Sequence, residues 1–168
     1  MLVIGIDPGT AITGYGLVRE RRDGSLEAVG HGAILTPAKM AMPLRLKLLY
    51  EGLNEVLLLH RPESGAVEKL FFQKNVRTAI SVGQARGVAL LALAQAGVEA
   101  GEYSPSEVKQ AVTGYGAADK RQVQQMVRTL LHLDEIPQPD DAADALAVAI
   151  CHLHSAKARA LFETGSEN

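Results

Sequence analysis

The apolar positions change period several times along the chain, and these changes outline its elements. Leu2 to Asp7 is a short β-rich run that stops on an acid. Pro8-Gly9-Thr10 is a turn cluster. A second strand is predicted over Thr13 to Arg19, interrupted by Gly14 and Gly16, and Asp23-Gly24 is a hairpin signal. Leu26 to Leu35 reads as a third strand, so the first three form an antiparallel meander. Pro43 then opens a helix in which Leu46, Leu49, Leu53, Val56 and Leu57 recur at steps of three and four, ended by Arg61-Pro62. Ser64 to Glu68 is a buried strand, a long helix runs from Asn75 to Gln95 before Gly97, and Glu99 to Tyr103 is a short strand.

In the last third, Ser104 can cap a helix, Pro105 fits its first position and Glu107 completes a capping box. Gly114-Tyr115-Gly116 breaks that helix, and Ala117 to Leu133 forms the next. Pro137 and Pro139 punctuate, and Asp140 begins a final helix reaching Leu161. Hairpin strands followed by alternating strand and helix predict an α/β domain. Its five-stranded mixed sheet, three strands antiparallel and then two parallel, is flanked by helices. No interdomain linker is visible, so residues 1–162 are expected to form one domain, with 163–168 as a frayed tail.

Length and composition narrow the class. A chain of 168 residues is long enough for one domain and buries roughly 70% of its unfolded surface, so it needs no staples. Its single cysteine, Cys151, excludes an intramolecular disulfide and fits a reducing, cytoplasmic setting. Met1 to Ile6 has no basic flank and meets Asp7 at once, so no leader peptide is expected. The apolar stretch from Val88 to Val98 falls short of the ~18 residues of a membrane span, and no membrane association is expected.

The net charge of −2 gives no basic footprint, but the distribution does. Lys69 to Val98 contains no Asp or Glu, yet holds Lys69, Lys74, Arg77 and Arg86. Lys109, Lys120, Arg121 and Arg128 follow, offset by Glu107 and Asp119. Such runs are ordinary solvated helix faces or one positive face for a polyanion.

Four carboxylates stand at positions where sites form. Asp7 and Glu68 end the first and fourth strands; if these are parallel neighbours, both emerge at the edge where open α/β sheets bind ligands. Asp141 and Asp144 are three apart in the first turn of the last helix, on one face, among Ala142, Ala143 and Ala145, small enough to let a helix lie close to a sheet. Gathered together, four such acids repel unless a cation joins them. All-oxygen ligands favour Mg²⁺ or Mn²⁺, and two such ions about 4 Å apart hydrolyse phosphodiesters. The alternative is structural: acids in a first helical turn are also favoured by the helix dipole, and a strand-end Glu is an ordinary loop residue.

The chain resembles the RuvC family of Holliday-junction resolvases, within the ribonuclease H-like superfamily. The resemblance rests on Gly5-Ile6-Asp7-Pro8-Gly9-Thr10 with Thr13-Gly14-Tyr15-Gly16, and on Ala66-Val67-Glu68 with Phe71. It continues through Gly83-Gln84-Ala85-Arg86-Gly87, Val108-Lys109-Gln110 and Asp141-Ala142-Ala143-Asp144-Ala145-Leu146-Ala147, in family order across nearly the whole chain. It implies a ribonuclease H-like fold in which Asp7, Glu68, Asp141 and Asp144 are the catalytic, metal-binding acids, with two Mg²⁺ ions and Mn²⁺ as a substitute. It further implies a homodimer that nicks four-way junction DNA symmetrically, in recombination and repair, beside the RuvA–RuvB branch-migration complex. Asp140 is an extra acid next to the expected one, a cap or a modulator of the metals.

Phe71 matches the family's base-probing position and is expected to stack on DNA, worth ~1–3 kcal/mol; Phe72 either stacks or packs in the core. Lys74, Arg77, Lys109, Lys120 and Arg121 are the expected phosphate contacts, Lys109 and Lys120 with support from the family, whereas Lys69 can pair with Glu68. The five histidines form no metal set, since His152 and His154 point apart on a helix, and Cys151 reads as core. Gly83 and Gly87 inside a helix each cost about 1 kcal/mol relative to Ala, which a close approach at a two-fold interface would explain. Two other functions remain open at this point: an actin-like phosphotransferase, from the opening Asp-Pro-Gly motif, and a non-catalytic junction scaffold.

Overall fold

The computed structural model describes residues 1–70 and 76–165; the side chains of residues 71–77 and 157–168 lie outside the description. The strands are β1 (Leu2–Asp7), β2 (Ile12–Glu20), β3 (Leu26–Leu35), β4 (Ser64–Glu68) and β5 (Ala100–Tyr103). The helices are α1 (Met42–His60), α2 (Val76–Gln95), α3 (Pro105–Thr113), α4 (Lys120–Leu130) and α5 (Asp140–Gly165).

The sheet order is β3-β2-β1-β4-β5. The β1–β2 and β2–β3 pairs are antiparallel, and β4 runs parallel to both β1 and β5. This is the mixed sheet that the periodicity predicts. β1 sits at the centre, and its alternation feeds two cores. Ile4 and Ile6 pack with Leu49, Leu53 and Leu57 of α1 and with Ala85, Ala89 and Leu93 of α2. Val3, on the other face, joins Leu146, Ile150 and Leu153 of α5 with Val108 of α3 and Val123 and Val127 of α4.

Caps explain where the helices begin. Ser104 accepts from the Glu107 N–H and Glu107 bonds back to Ser104, with Pro105 following the cap, as predicted. α4 starts three residues later than expected. Asp119 accepts from the Gln122 N–H and Gln122 reciprocates, and this capping box outweighs the helix propensity of Ala117-Ala118. Gly14 and Gly16 do not interrupt β2; they are the places where α5 lies against it. Buried His152 of α5 bridges the Ser64 hydroxyl at 2.8 Å and the Tyr103 hydroxyl at 2.9 Å, tying β4 and β5 to the helix. Cys151 is buried, and burial pushes its thiol up to about 11, consistent with a core role.

Candidate active site

Asp7 ends β1 and Glu68 ends β4. The parallel register pairs Ile6 with Val67, so the two carboxylates follow on adjacent strand ends. Asp141 and Asp144 come from the first turn and a half of α5. A missing side chain sets the height of that helix. Gly14 lies opposite Asp7 across the β1–β2 ladder, and a Cβ on Gly14 would run into the backbone carbonyl of Asp141. Similar collisions at Gly5 with Ala145 and at Gly16 with Leu146 show that α5 rests directly on both strands. Ala142, Ala143 and Ala145 are buried along this seam, the role their size predicts.

The loop after Asp7 is held by residues that the sequence reading did not single out for this purpose. Buried Thr13 donates its hydroxyl to the Gly9 carbonyl at 2.6 Å and accepts from the Gly9 N–H at 3.2 Å. The Thr36 hydroxyl donates to the Thr10 carbonyl and accepts from Arg45 Nε at 2.8 Å. A Thr four residues beyond a Pro-Gly turn is a local signal for the first tie; nothing local announces the second.

The four acids share one electrostatic environment. Burial raises Asp7 to about 8, reinforced by Glu68, Asp144 and Asp141, while Lys120 acts in the opposite direction. Burial also raises Glu68 to about 7, with Asp144 adding and Lys109 and Lys120 subtracting. Asp144 is raised by burial too, against the hydrogen bond and charge of Lys120. Lys120 Nζ lies 3.0 Å from Asp144 and 3.4 Å from Asp140. Burial pulls this ammonium down, but its bond and attraction to Asp144 and Asp140 prevail and raise it.

Glu68, Asp144, Lys109 and Lys120 line one cleft of about 180 Å³. Arg121 lines a different one, about 450 Å³, with Thr113, Tyr115 and Met126. That larger cleft contains none of the four acids, whereas the smaller is lined by two of them, Glu68 and Asp144. Lys69 acts on Glu107, and no ion pair joins it to Glu68 among the described residues. Arg86 pairs with Glu102, which removes it from any free positive face. Phe71, Phe72 and Lys74, and the side chain of Arg77, lie outside the described residues.

Among the described residues, no three His, Cys, Asp or Glu side chains are arranged to hold one ion as they stand. The donor chemistry nevertheless fits a hard divalent cation: four half-buried carboxylates that act on one another, with no nitrogen or sulfur among them. Without a cation, such acids relieve repulsion by holding protons and by attracting the ammonium of Lys120.

This sheet, with acids ending β1 and β4 and opening α5, defines the class as a ribonuclease H-like nuclease domain. The profile described as crossover junction endodeoxyribonuclease RuvC matches residues 3–152, and the chain belongs to the RuvC family. A relative of that name from Chloroflexus aggregans is 60% identical over 93% of this chain and 94% of its own. The solved Thermus thermophilus RuvC superposes with a TM-score of 0.87 at 38% identity, covering 94% of this chain and 96% of that one. The T. thermophilus protein in complex with Holliday junction substrate gives 0.85 at 36% identity, with the same coverage of each chain.

Proposed function

We propose that this chain is a structure-selective endodeoxyribonuclease that resolves four-way DNA junctions by paired symmetric nicks, in recombination and repair. The observation that carries the reading is the convergence of acids from β1, β4 and α5 beside Lys109 and Lys120, in a chain of the RuvC family. Asp7, Glu68, Asp141 and Asp144 would hold Mg²⁺, with Mn²⁺ as a substitute. When bound, such ions supply an activated water and stabilise the leaving oxygen of a phosphodiester.

The protein groups divide the remaining work. Lys109 and Lys120 contact phosphate at the cleft, Lys74, Arg77 and Arg121 are further phosphate contacts, and Phe71 stacks on a base, while Phe72 either stacks too or packs in the core. Cutting both strands symmetrically requires two sites, which an isologous homodimer supplies. The exposed face of α2 supports the dimer. Ile80 and Leu91 are exposed apolar residues on it, and a Cβ at Gly87 would meet nothing within 4 Å. We place the protein in the cytoplasm beside the RuvA–RuvB complex, with residues 1–162 as the nuclease domain and 163–168 as a tail; no described helix is long and apolar enough to cross a membrane.

The test is cleavage of a synthetic four-way junction in Mg²⁺, with a linear duplex of the same sequence as control. Paired nicks in the junction alone, reduced about 10²–10³-fold or more in Asp141→Asn while junction binding persists, are expected. Tight binding without nicks in Mg²⁺ or Mn²⁺ would return the acids to a structural role.

A further inference from the structure

The chain carries one acid more than the cluster uses, and that acid has a partner. Asp140 and Asp144 are four residues apart on α5, so both carboxylates stand on one face. Lys120 Nζ lies between them, 3.0 Å from Asp144 Oδ2 and 3.4 Å from Asp140 Oδ2. Its backbone is fixed as the first residue of α4 by the Asp119–Gln122 capping box, so only the four-carbon stem is free to move. Asp140 is more exposed than Asp144, with side-chain exposures of 53% and 32%. One ammonium therefore bridges an acid of the cluster and an acid outside it.

We infer that Asp140 is a positioning residue: it is a second berth to which the Lys120 ammonium withdraws when a divalent cation takes the Asp144 carboxylate. The inference rests on the reading of Asp7, Glu68, Asp141 and Asp144 as metal ligands. An ammonium and a dication compete for the same carboxylate oxygens and repel each other at close range. Asp7 and Glu68 also feel Lys120, but both belong to the cluster and offer no refuge from the cation. With Asp140 present, Lys120 leaves Asp144 yet keeps a charged partner, on the more exposed side. Without it, Lys120 either opposes cation binding at Asp144 or gives up its ion pair to water.

The role makes a prediction opposite in sign to that of a simple surface charge. A simple charge is masked by Lys120, so removing it matters as much or more once Lys120 is gone. A berth matters only while there is an ammonium to receive. The measurement is Mn²⁺ binding to the full chain without DNA, read by loss of the free-ion electron paramagnetic resonance signal. It covers the wild type, Asp140→Asn, Asp140→Glu, Lys120→Met and the Asp140→Asn/Lys120→Met double variant. Asp140→Asn is expected to weaken binding about threefold or more beyond its effect in the Lys120→Met background, a coupling typical of contacting charged groups. Asp140→Glu, which keeps the carboxylate, is expected to restore most of the affinity. An equal or larger loss in the Lys120→Met background overturns the inference and leaves Asp140 a plain charge. Failure of the metal-site reading looks different: the wild type takes up no Mn²⁺, or Asp141→Asn leaves uptake unchanged.

Discussion

Asp7 and Glu68 hold protons in a pH range where ordinary carboxyls have lost them, because burial and neighbouring acids disfavour the charged forms. Below the ordinary Asp value of 3.8, folded and unfolded chains both hold the Asp7 proton. Between 3.8 and about 8 only the folded chain keeps it, so the cation-free protein loses stability as pH rises through this window. Glu68 behaves the same way from 4.5 to about 7. The slope is at most about 1.4 kcal/mol per pH unit for each group. Thermal denaturation in chelator is expected to show this decline, Asp7→Asn to flatten it, and Mg²⁺ to reverse it at pH 8 with release of protons. A chelated protein whose melting temperature rises from pH 5 to 8 would contradict the burial of these acids. Lys109 makes a separate prediction. It acts on Glu68 from the cleft, so Lys109→Ala is expected to weaken junction binding and lower the salt slope by about one, with no change in junction sequence preference.

At the scale of elements, the site is the meeting of two strand ends and one helix start, and Gly14 controls their separation. In Gly14→Ala the new Cβ meets the Asp141 carbonyl, which is backbone and cannot rotate aside. α5 must shift outward, taking Asp141 and Asp144 away from Asp7. Overpacking of this kind costs about 1–3 kcal/mol. The expected result is a folded protein with a lower melting temperature, intact junction binding and cleavage reduced at least tenfold. Gly87→Ala, on open surface, provides the control for stability within the monomer. If Gly14→Ala cleaves like wild type, the close seating of α5 on β2 is not what places the acids.

For the molecule as a whole, α2 faces the core with one side and solvent with the other. Ala85, Ala89, Ala92 and Leu93 are buried against the sheet and α1, while Ile80, Gly87 and Leu91 look outward. The proposed dimer uses this outward face. Leu91→Glu combined with Ile80→Glu is expected to give a monomer by sedimentation, with the fold retained because neither residue belongs to the buried core. That monomer is expected to lose paired nicking. A dimer undiminished by both substitutions would move the interface elsewhere.

Much of this architecture was legible in the chain before any fold was drawn. The apolar stripe of α1, the alternation of β1 and the Ser104–Glu107 capping box act over a few residues, and local physics read along a sequence recovers them. The four acids were legible for the same reason: Asp7 and Glu68 end apolar runs, and Asp141 and Asp144 share a helical turn. Tertiary structure alone decided which charges accompany them. Lys120 and Arg121 are neighbours in the chain, yet one meets Asp144 and the other lines a separate cleft; Arg86 is neutralised by Glu102. It also turned Gly14 from an apparent strand interruption into the seat of α5, and it gave Asp140 a partner twenty residues upstream. Pairings of this kind depend on distances between remote segments, and those distances exist only after the sheet has formed and the helices have packed on it.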